Sequence, residues 1–248
     1  MADDIKTIDE DLITASKMLE WELGDIWGHV GARIPGEDAI ALKLFRPAAE
    51  APDEDWLIHF DYDLNKLSGI GTAPFEARIY TEVFKARPDV NAAIHSHAPM
   101  CVAMSLAGNT VTGGHMQANE FGMGLPVYPK TIFIVDEAEG ADLAKTMGDA
   151  TAVLIRGHGV VVVGESIDRC TITAMHLERA AKTQAFARMM GFTGTNEETL
   201  QEYHESLEKL QAQARALGSQ QNTAPHSPEW TYYAQKIKKG ELWNRGLG

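Results

Sequence analysis

Apolar residues along this chain switch repeatedly between a helical and a strand period. Ile8, Leu12, Leu19 and Leu23 recur at helical spacing, Thr7 to Glu10 has the form of a capping box opening that helix, and Gly24 suits its end. Residues 26–34 and 38–45 read as strands, with Ile40, Leu42 and Leu44 on one face of the second. An acidic loop at 48–55 precedes a short strand from Trp56 to Phe60. A helix begins near Pro74 and must end before Pro88, because the residue preceding a proline is pushed out of the α region. Residues 90–96 read as a strand, and Pro99 to Leu106 as an apolar helix stopped by Gly108. The Gly- and Pro-rich stretch 110–130 reads as irregular, Thr131 to Val135 as a strand, and Asp136 as the cap of a helix closed by Gly148.

Two apolar runs, 151–155 and 159–163, flank Arg156-Gly157-His158-Gly159. A long helix over 166–190 ends at Gly191, and Thr195-Asn-Glu-Glu198 is a second capping box whose helix runs to Leu217. Residues 218–227 read as a linker, and Pro228 to Lys239 as a short amphipathic helix carrying aromatics. There is no internal repeat. The alternation predicts one α/β domain over residues 1–217, followed by a linker and C-terminal helical arm over 218–248.

Composition narrows the class. With 44% hydrophobic and 23% charged residues among 248, the chain is neither disordered nor short of material for a core. No apolar run approaches the roughly 20 residues of a membrane helix, and the acidic start MADDIKTIDEDL lacks the basic and apolar regions of a signal peptide. Cys101 and Cys170 make no disulfide framework, so a reduced, cytoplasmic protein is expected. Lys and Arg total 22 against 35 Asp and Glu, a net charge of −13. Nucleic acid and anionic membrane surfaces are therefore not expected partners, and an anionic substrate needs a local cation.

Phosphate-cradling glycine loops, a serine nucleophile elbow and paired-cysteine motifs are all missing, which leaves histidine as the candidate chemistry. His95 and His97 lie in NAAIHSHAP at a strand end, where side chains two apart share a face. They can converge on one metal ion, or be two surface histidines. His158 lies in IRGHGVVVVG, where the flanking glycines permit a tight turn and close approach to a ligand; a hairpin turn with a water-facing histidine has the same pattern. Glu76, in TAPFEARIY, is either an acid placed by a helix dipole or a general acid/base beside a metal.

The segments RPDVNAAIHSHAP and LIRGHGVVVVGESI, with Glu76 ahead of them, closely resemble the class II aldolase/adducin family over about Leu12 to Arg188. The resemblance implies a three-layer α/β fold, with a central, mostly antiparallel sheet and helices on both faces. It also implies homotetramers with sites near subunit interfaces. In it His95, His97 and His158 take the metal-ligand positions and Glu76 the catalytic acid/base position. One divalent ion per subunit is implied: Zn²⁺, with Mn²⁺ or Co²⁺ as alternatives.

Departures from the family pattern bear on the substrate. Sugar-phosphate aldolases of the family carry paired serines just before the glutamate, where this chain has Pro74 and Phe75. His29 stands where those aldolases have asparagine in a phosphate-binding loop, here Trp27 to Arg33. A phosphorylated sugar is therefore not expected. Gly28-His29-Val30 with Arg33 looks more like the decarboxylase branch, which acts on hydroxy-aromatic or pyridine carboxylates.

Arg33 is a candidate for pairing with a substrate carboxylate, or for a surface salt bridge. His29 either contacts substrate or is a satisfied buried histidine, and His115 is a further substrate-binding candidate. Tyr232 and its neighbour Tyr233 either reach an adjoining subunit's site or simply pack. The expected activity is decarboxylation of a small hydroxy-aromatic or β-keto carboxylic acid. The alternatives are aldol cleavage of a non-phosphorylated hydroxy-keto substrate and, in another class, an adducin-like interaction domain. Adducin-like relatives lack the metal histidines that this chain retains.

Overall fold

The computed structural model describes residues 2–45, 57–216 and 225–241. The expected acidic loop at 48–55 and most of the 218–227 linker lie outside the described residues. Helix α1 (Ala2–Leu23) leads into β1 (His29–Arg33), β2 (Ala39–Leu44), β3 (Leu57–Asp61) and β4 (Lys66–Gly69). Then come α2 (Arg78–Ala86), β5 (Ala92–Ser96), α3 (Pro99–Leu106), a short 3-10 segment at Met116–Phe121 and β6 (Val127–Tyr128). The chain continues through α4 (Glu137–Met147), β7 (Ala152–Ile155), β8 (Gly159–Gly164), α5 (Ile167–Met189), α6 (Glu197–Ala216) and α7 (Pro228–Lys238).

The strands form one sheet in the order β4-β3-β2-β1-β5-β8-β7-β6. Every pairing is antiparallel except β6 with β7, in agreement with the expected mostly antiparallel sheet. Strand alternation sorts the buried side chains to two faces. Val30, Ala92, Ile94, Leu154, Val160 and Val162 pack with Leu12, Leu19, Met175 and Leu177 of α1 and α5. Ile40, Leu42, Ala93, Val153, Val161 and Val163 pack with Ile79, Tyr80, Phe84 and Leu143 of α2 and α4. Each fully buried Val, Leu or Ile contributes about 1.5–3 kcal/mol, so the central strands are the most firmly held part of the molecule. Helix α7 packs on α1 and α5, and Trp230 joins the core there.

Local signals mostly mark the element ends correctly. Pro99 opens α3, and Asp136 with Glu139 closes a reciprocal capping box on α4. Three readings need correction, and one strand went unread. Thr7 lies inside α1, which already begins at Ala2. Strand β4 carries no apolar periodicity because all four of its residues are exposed on the sheet edge. The cap of α6 is Asn196, whose Oδ1 accepts the Thr199 N–H at 2.8 Å, while the Thr195 hydroxyl donates to Gly113 O at 2.7 Å. Residues 131–135 form no strand; their backbone groups bond to side chains of the candidate site instead. No described helix is long and apolar enough to cross a membrane.

Candidate metal centre

Three separate chain segments meet at the open end of β5. His95 is the fourth residue of β5 and projects to the α2 face of the sheet. His97 follows two residues later, just beyond the strand. His158 occupies the turn between β7 and β8, and Glu76 sits in the turn that leads into α2. The turn at His158 depends on glycine twice. Gly157 has φ +65°, a left-handed conformation. A Cβ on Gly159 would lie 2.4 Å from Ser96 O and 3.3 Å from His95 Cε1, so only glycine lets this turn approach the end of β5.

The imidazole centroids form a near-regular triangle: His95–His97 5.0 Å, His95–His158 5.1 Å and His97–His158 5.3 Å. One ligand atom from each of Glu76, His95, His97 and His158 lies within 4.8 Å of the others. Glu76 Oε2 stands 3.3 Å from His95 Nε2 and 3.5 Å from His158 Nε2.

The outer hydrogen bonds fix the tautomers. His95 Nδ1 donates to Val160 O at 3.0 Å, and His158 Nδ1 to Ile132 O at 2.8 Å. A carbonyl only accepts, so both rings carry their proton on Nδ1 and turn an Nε2 lone pair inward. His97 Nδ1 faces Asp25 Oδ2 at 3.1 Å in the same sense. Nε2 of His95 and of His158 are both buried with no hydrogen-bond partner. Inward lone pairs facing a carboxylate are a repulsive arrangement that a cation converts into an attractive one, and carbonyl or carboxylate backing is the usual support of metal-bound imidazole. The donor set of neutral nitrogens and one carboxylate oxygen suits a first-row divalent ion.

Electrostatics within the cluster follow from its burial. Burial would push the Glu76 carboxyl up, but the imidazoles of His158 and His95, with the Ile134 N–H at 2.9 Å, hold it well below the usual carboxylate range. Burial pushes His95 below its ordinary value, against the pull of Glu76. The hydrogen bond that His97 donates to the Asp25 carboxylate raises His97. Asp25 itself is brought down to about 2, because the bonds it accepts from His97 and Trp27 outweigh the upward push of burial.

Sequence reasoning missed Asp25, Tyr80 and Phe133. Asp25 accepts the Trp27 N–H and the His97 N–H, each at 2.8 Å, and so fixes His97 from two sides. Its one local signal is an acid immediately after a helix-ending glycine. The Tyr80 hydroxyl donates to His29 O at 2.6 Å and accepts from the His95 N–H at 3.2 Å and from His29 Nδ1 at 2.8 Å. Phe133, in the stretch misread as a strand, sets its ring 5.1 Å from that of His158.

The remaining candidates fall elsewhere. His29 lies beside the cluster, its ring 5.3 Å from His95, but it is buried and brought down to about 3 by that burial and by His95. Arg33 is not available to a substrate. Its guanidinium donates to Val90 O at 2.8 Å, Tyr62 Oη at 2.6 Å and Arg87 O at 3.0 Å, and to Phe84 O, stacking 4.7 Å from the Phe84 ring. It therefore clamps the end of α2 to the sheet, at the opposite end of β1 from His29. His115 meets Gln184 Nε2 at 3.3 Å rather than any cluster member. Tyr232 is half-exposed on α7, edge-on to Tyr233 and beneath Lys236.

A model of the Class II Aldolase and Adducin N-terminal domain matches residues 13–185. Two similar curated proteins are 3,4-dihydroxyphthalate decarboxylases. That of Arthrobacter keyseri is 31% identical over 176 residues, covering 63% of this chain and 68% of the relative. That of Rhodococcus jostii (strain RHA1) is 32% identical over 171 residues, covering 63% and 70%. Among solved structures, an aldolase II superfamily protein from Pseudomonas syringae superposes with a TM-score of 0.72 at 19% identity, covering 95% of this chain and 94% of that one.

Proposed function

The chain belongs to the class II aldolase/adducin family, and from that premise we propose that it is a divalent-metal-dependent carbon–carbon lyase that decarboxylates a small hydroxy-aromatic or β-keto carboxylic acid. The observation that carries this reading is the convergence of Glu76, His95, His97 and His158, with buried and unpartnered Nε2 atoms on His95 and His158. His95, His97 and His158 hold the ion in this reading, Zn²⁺ first, with Mn²⁺ or Co²⁺ as alternatives. Bound there, a divalent cation supplies Lewis acidity towards a substrate oxygen beside the bond that breaks.

Glu76 is the proton carrier. As a carboxylate it accepts the proton of a substrate hydroxyl and returns it to the ring or α carbon that carbon dioxide leaves. The proton is thus conserved within the site until product departs. Asp25 and the carbonyls of Val160 and Ile132 keep the imidazoles in one tautomer.

The surroundings of the cluster favour an aromatic substrate. Trp27 is 64% exposed, Phe75 93% and Phe133 68%, all large values for such side chains. Trp27 gives its backbone N–H to Asp25, Phe75 adjoins Glu76 in sequence, and the Phe133 ring lies 5.1 Å from that of His158. An aromatic face beside the polar cluster, as the Phe133 ring stands beside His158, suits a substrate ring that bears its oxygens on one edge. The 3,4-dihydroxyphthalate decarboxylases act on a compound of that description by name.

The test is a screen of dihydroxy- and hydroxy-benzene carboxylates and β-keto acids on protein stripped of metal and reloaded with each of the three ions. Carbon dioxide release that follows metal loading supports the reading. Release of an aldehyde or pyruvate instead assigns aldol cleavage. No turnover of any such acid with any ion, at full metal occupancy, rejects the decarboxylase assignment.

A further inference from the structure

Helix α5 carries two adjacent charged residues, Glu178 and Arg179, that lie outside the histidine cluster. Glu178 is buried, and Arg179 is mostly so. Successive residues of a helix point about 100° apart, and α5 packs against both α1 and α3, so each side chain reaches a different neighbour. Arg179 turns to α1. Its Nε and Nη2 donate to the two carboxylate oxygens of Glu22 at 2.9 and 2.8 Å. From α7 the Tyr233 hydroxyl accepts a bond from Nη2 at 2.9 Å, and Glu229 lies 3.5 Å from Nη1. Glu178 turns to α3. Its oxygens accept the Met100 N–H at 2.9 and 3.1 Å and the Cys101 N–H at 3.2 Å. Ala98, at the start of α3, has no side chain that could do this.

The two anchors hold one contact from both sides. Glu22 stands three residues before Asp25, with buried Leu23 and left-handed Gly24 between them. Met100 stands three residues after His97, with buried Ala98 and a proline of fixed φ between them. Asp25 and His97 meet through the His97 N–H at 2.8 Å and its Nδ1 at 3.1 Å. Buried ion pairs often add little net stability, whereas a bidentate guanidinium–carboxylate pair fixes direction.

We propose that Glu178 and Arg179 are positioning residues of the metal centre: from one turn of α5 they set the distance between Asp25 and His97, and through it the aim of the His97 Nε2 lone pair. This rests on the reading of His95, His97 and His158 as metal ligands, but it concerns how one ligand is held and not the reaction. Acting one contact further out than Asp25, each anchor is worth about two- to thirtyfold in metal affinity.

Arg179→Gln alone would strand the Glu22 carboxylate in the interior, so both charges are removed together as E22Q/R179Q. E178Q keeps the volume and loses one acceptor. R169Q, which breaks an ion pair of the same helix with Glu120, is the control. Affinity for Co²⁺ or Zn²⁺ is read by competition against a chelator, at a temperature where denaturant curves show every variant folded. E22Q/R179Q and E178Q are expected to bind the ion about two- to thirtyfold more weakly, and R169Q as wild type does. In the Asp25→Asn background the E22Q/R179Q loss should shrink below about twofold, because the contact it acts through is already gone. Wild-type affinity in the folded variants overturns the proposal, and so does a loss of equal size in both backgrounds. NMR of isotope-labelled histidine side chains in the metal-free protein is a second readout: the His97 Nδ1–H signal should weaken in E22Q/R179Q and E178Q and persist in R169Q. A wild type that binds no ion rejects the metal centre, whereas an unchanged His97 signal in the variants rejects the positioning pair.

Discussion

Asp25 gives the sharpest test of how the imidazoles are held. Its carboxylate is buried and accepts the Trp27 N–H and the His97 N–H at 2.8 Å each, and His97 Nδ1 at 3.1 Å. Asp25→Asn keeps the volume but replaces one oxygen with an NH₂ group. Either the amide turns its nitrogen towards the two His97 donors, or it turns towards Trp27 and leaves that N–H opposed. A buried donor left without an acceptor costs about 1–3 kcal/mol. His97 loses the acceptor that keeps its proton on Nδ1, so the ring can move the proton to Nε2 and lose the lone pair aimed at the ion.

Removing such an outer partner weakens metal binding by about 10–100-fold, or about 1.4–2.7 kcal/mol. Competition against a chelator of known affinity measures this directly, and kcat at saturating metal should fall less than metal affinity does. There is a pH signature as well. The Asp25 carboxyl lies at about 2 instead of 3.8, which corresponds to about 2 kcal/mol of folding stability at neutral pH. Because the folded value is the lower one, this stabilisation is present above the unfolded value and is lost as pH falls from about 4 through about 2. Denaturant titrations of the metal-free protein should therefore show wild type and Asp25→Asn converging in acid. Wild-type metal affinity in Asp25→Asn would refute the idea that Asp25 orients His97.

The other predictions address separate contacts. Glu76→Gln should retain bound metal by elemental analysis while turnover falls about 10²–10⁴-fold; a near-normal rate would remove Glu76 from proton transfer. Gly159→Ala should destabilise the fold by about 1–3 kcal/mol and lower metal content, since the new methyl meets Ser96 O at 2.4 Å; thermal melts with metal analysis check both. Arg33→Ala should cost about 2–4 kcal/mol in urea unfolding and leave KM unchanged at temperatures where the variant is folded, since the guanidinium bonds to carbonyls and Tyr62. Metal loading should release up to about one proton, seen as a buffer-dependent binding enthalpy that grows as pH falls, because His97, raised by its bond to Asp25, must give up its Nε2 proton before it can bind the ion.

What the sequence disclosed and what it withheld divide along physical lines. The alternation in NAAIHSH marks β5 as buried and puts His95 and His97 on one side, and the two glycines around His158 announce a close approach. These are local signals of period and backbone freedom. Residues 131–135 misled because an apolar run says nothing about where its amides bond. Ile132 O accepts from His158 and the Ile134 N–H donates to Glu76, so the segment serves side chains instead of a neighbouring strand. Arg33 misled for a related reason: a guanidinium near a candidate site is visible in sequence, but the carbonyls of Phe84, Arg87 and Val90 that surround it are assembled only by folding. Asp25 and Tyr80 act through partners far along the chain, at separations of 72 and 51 residues.

The stretch from Ile132 to Ile134 fastens one imidazole at one end and the carboxylate at the other, so a single strip of main chain sets the spacing between them. Phe133 rides between those two fastenings with its side chain outward. Such a position can accept exchange after exchange while the reactive groups beneath keep their separation. Descendants of this protein could thus acquire new substrates at residue 133 without rebuilding the chemistry.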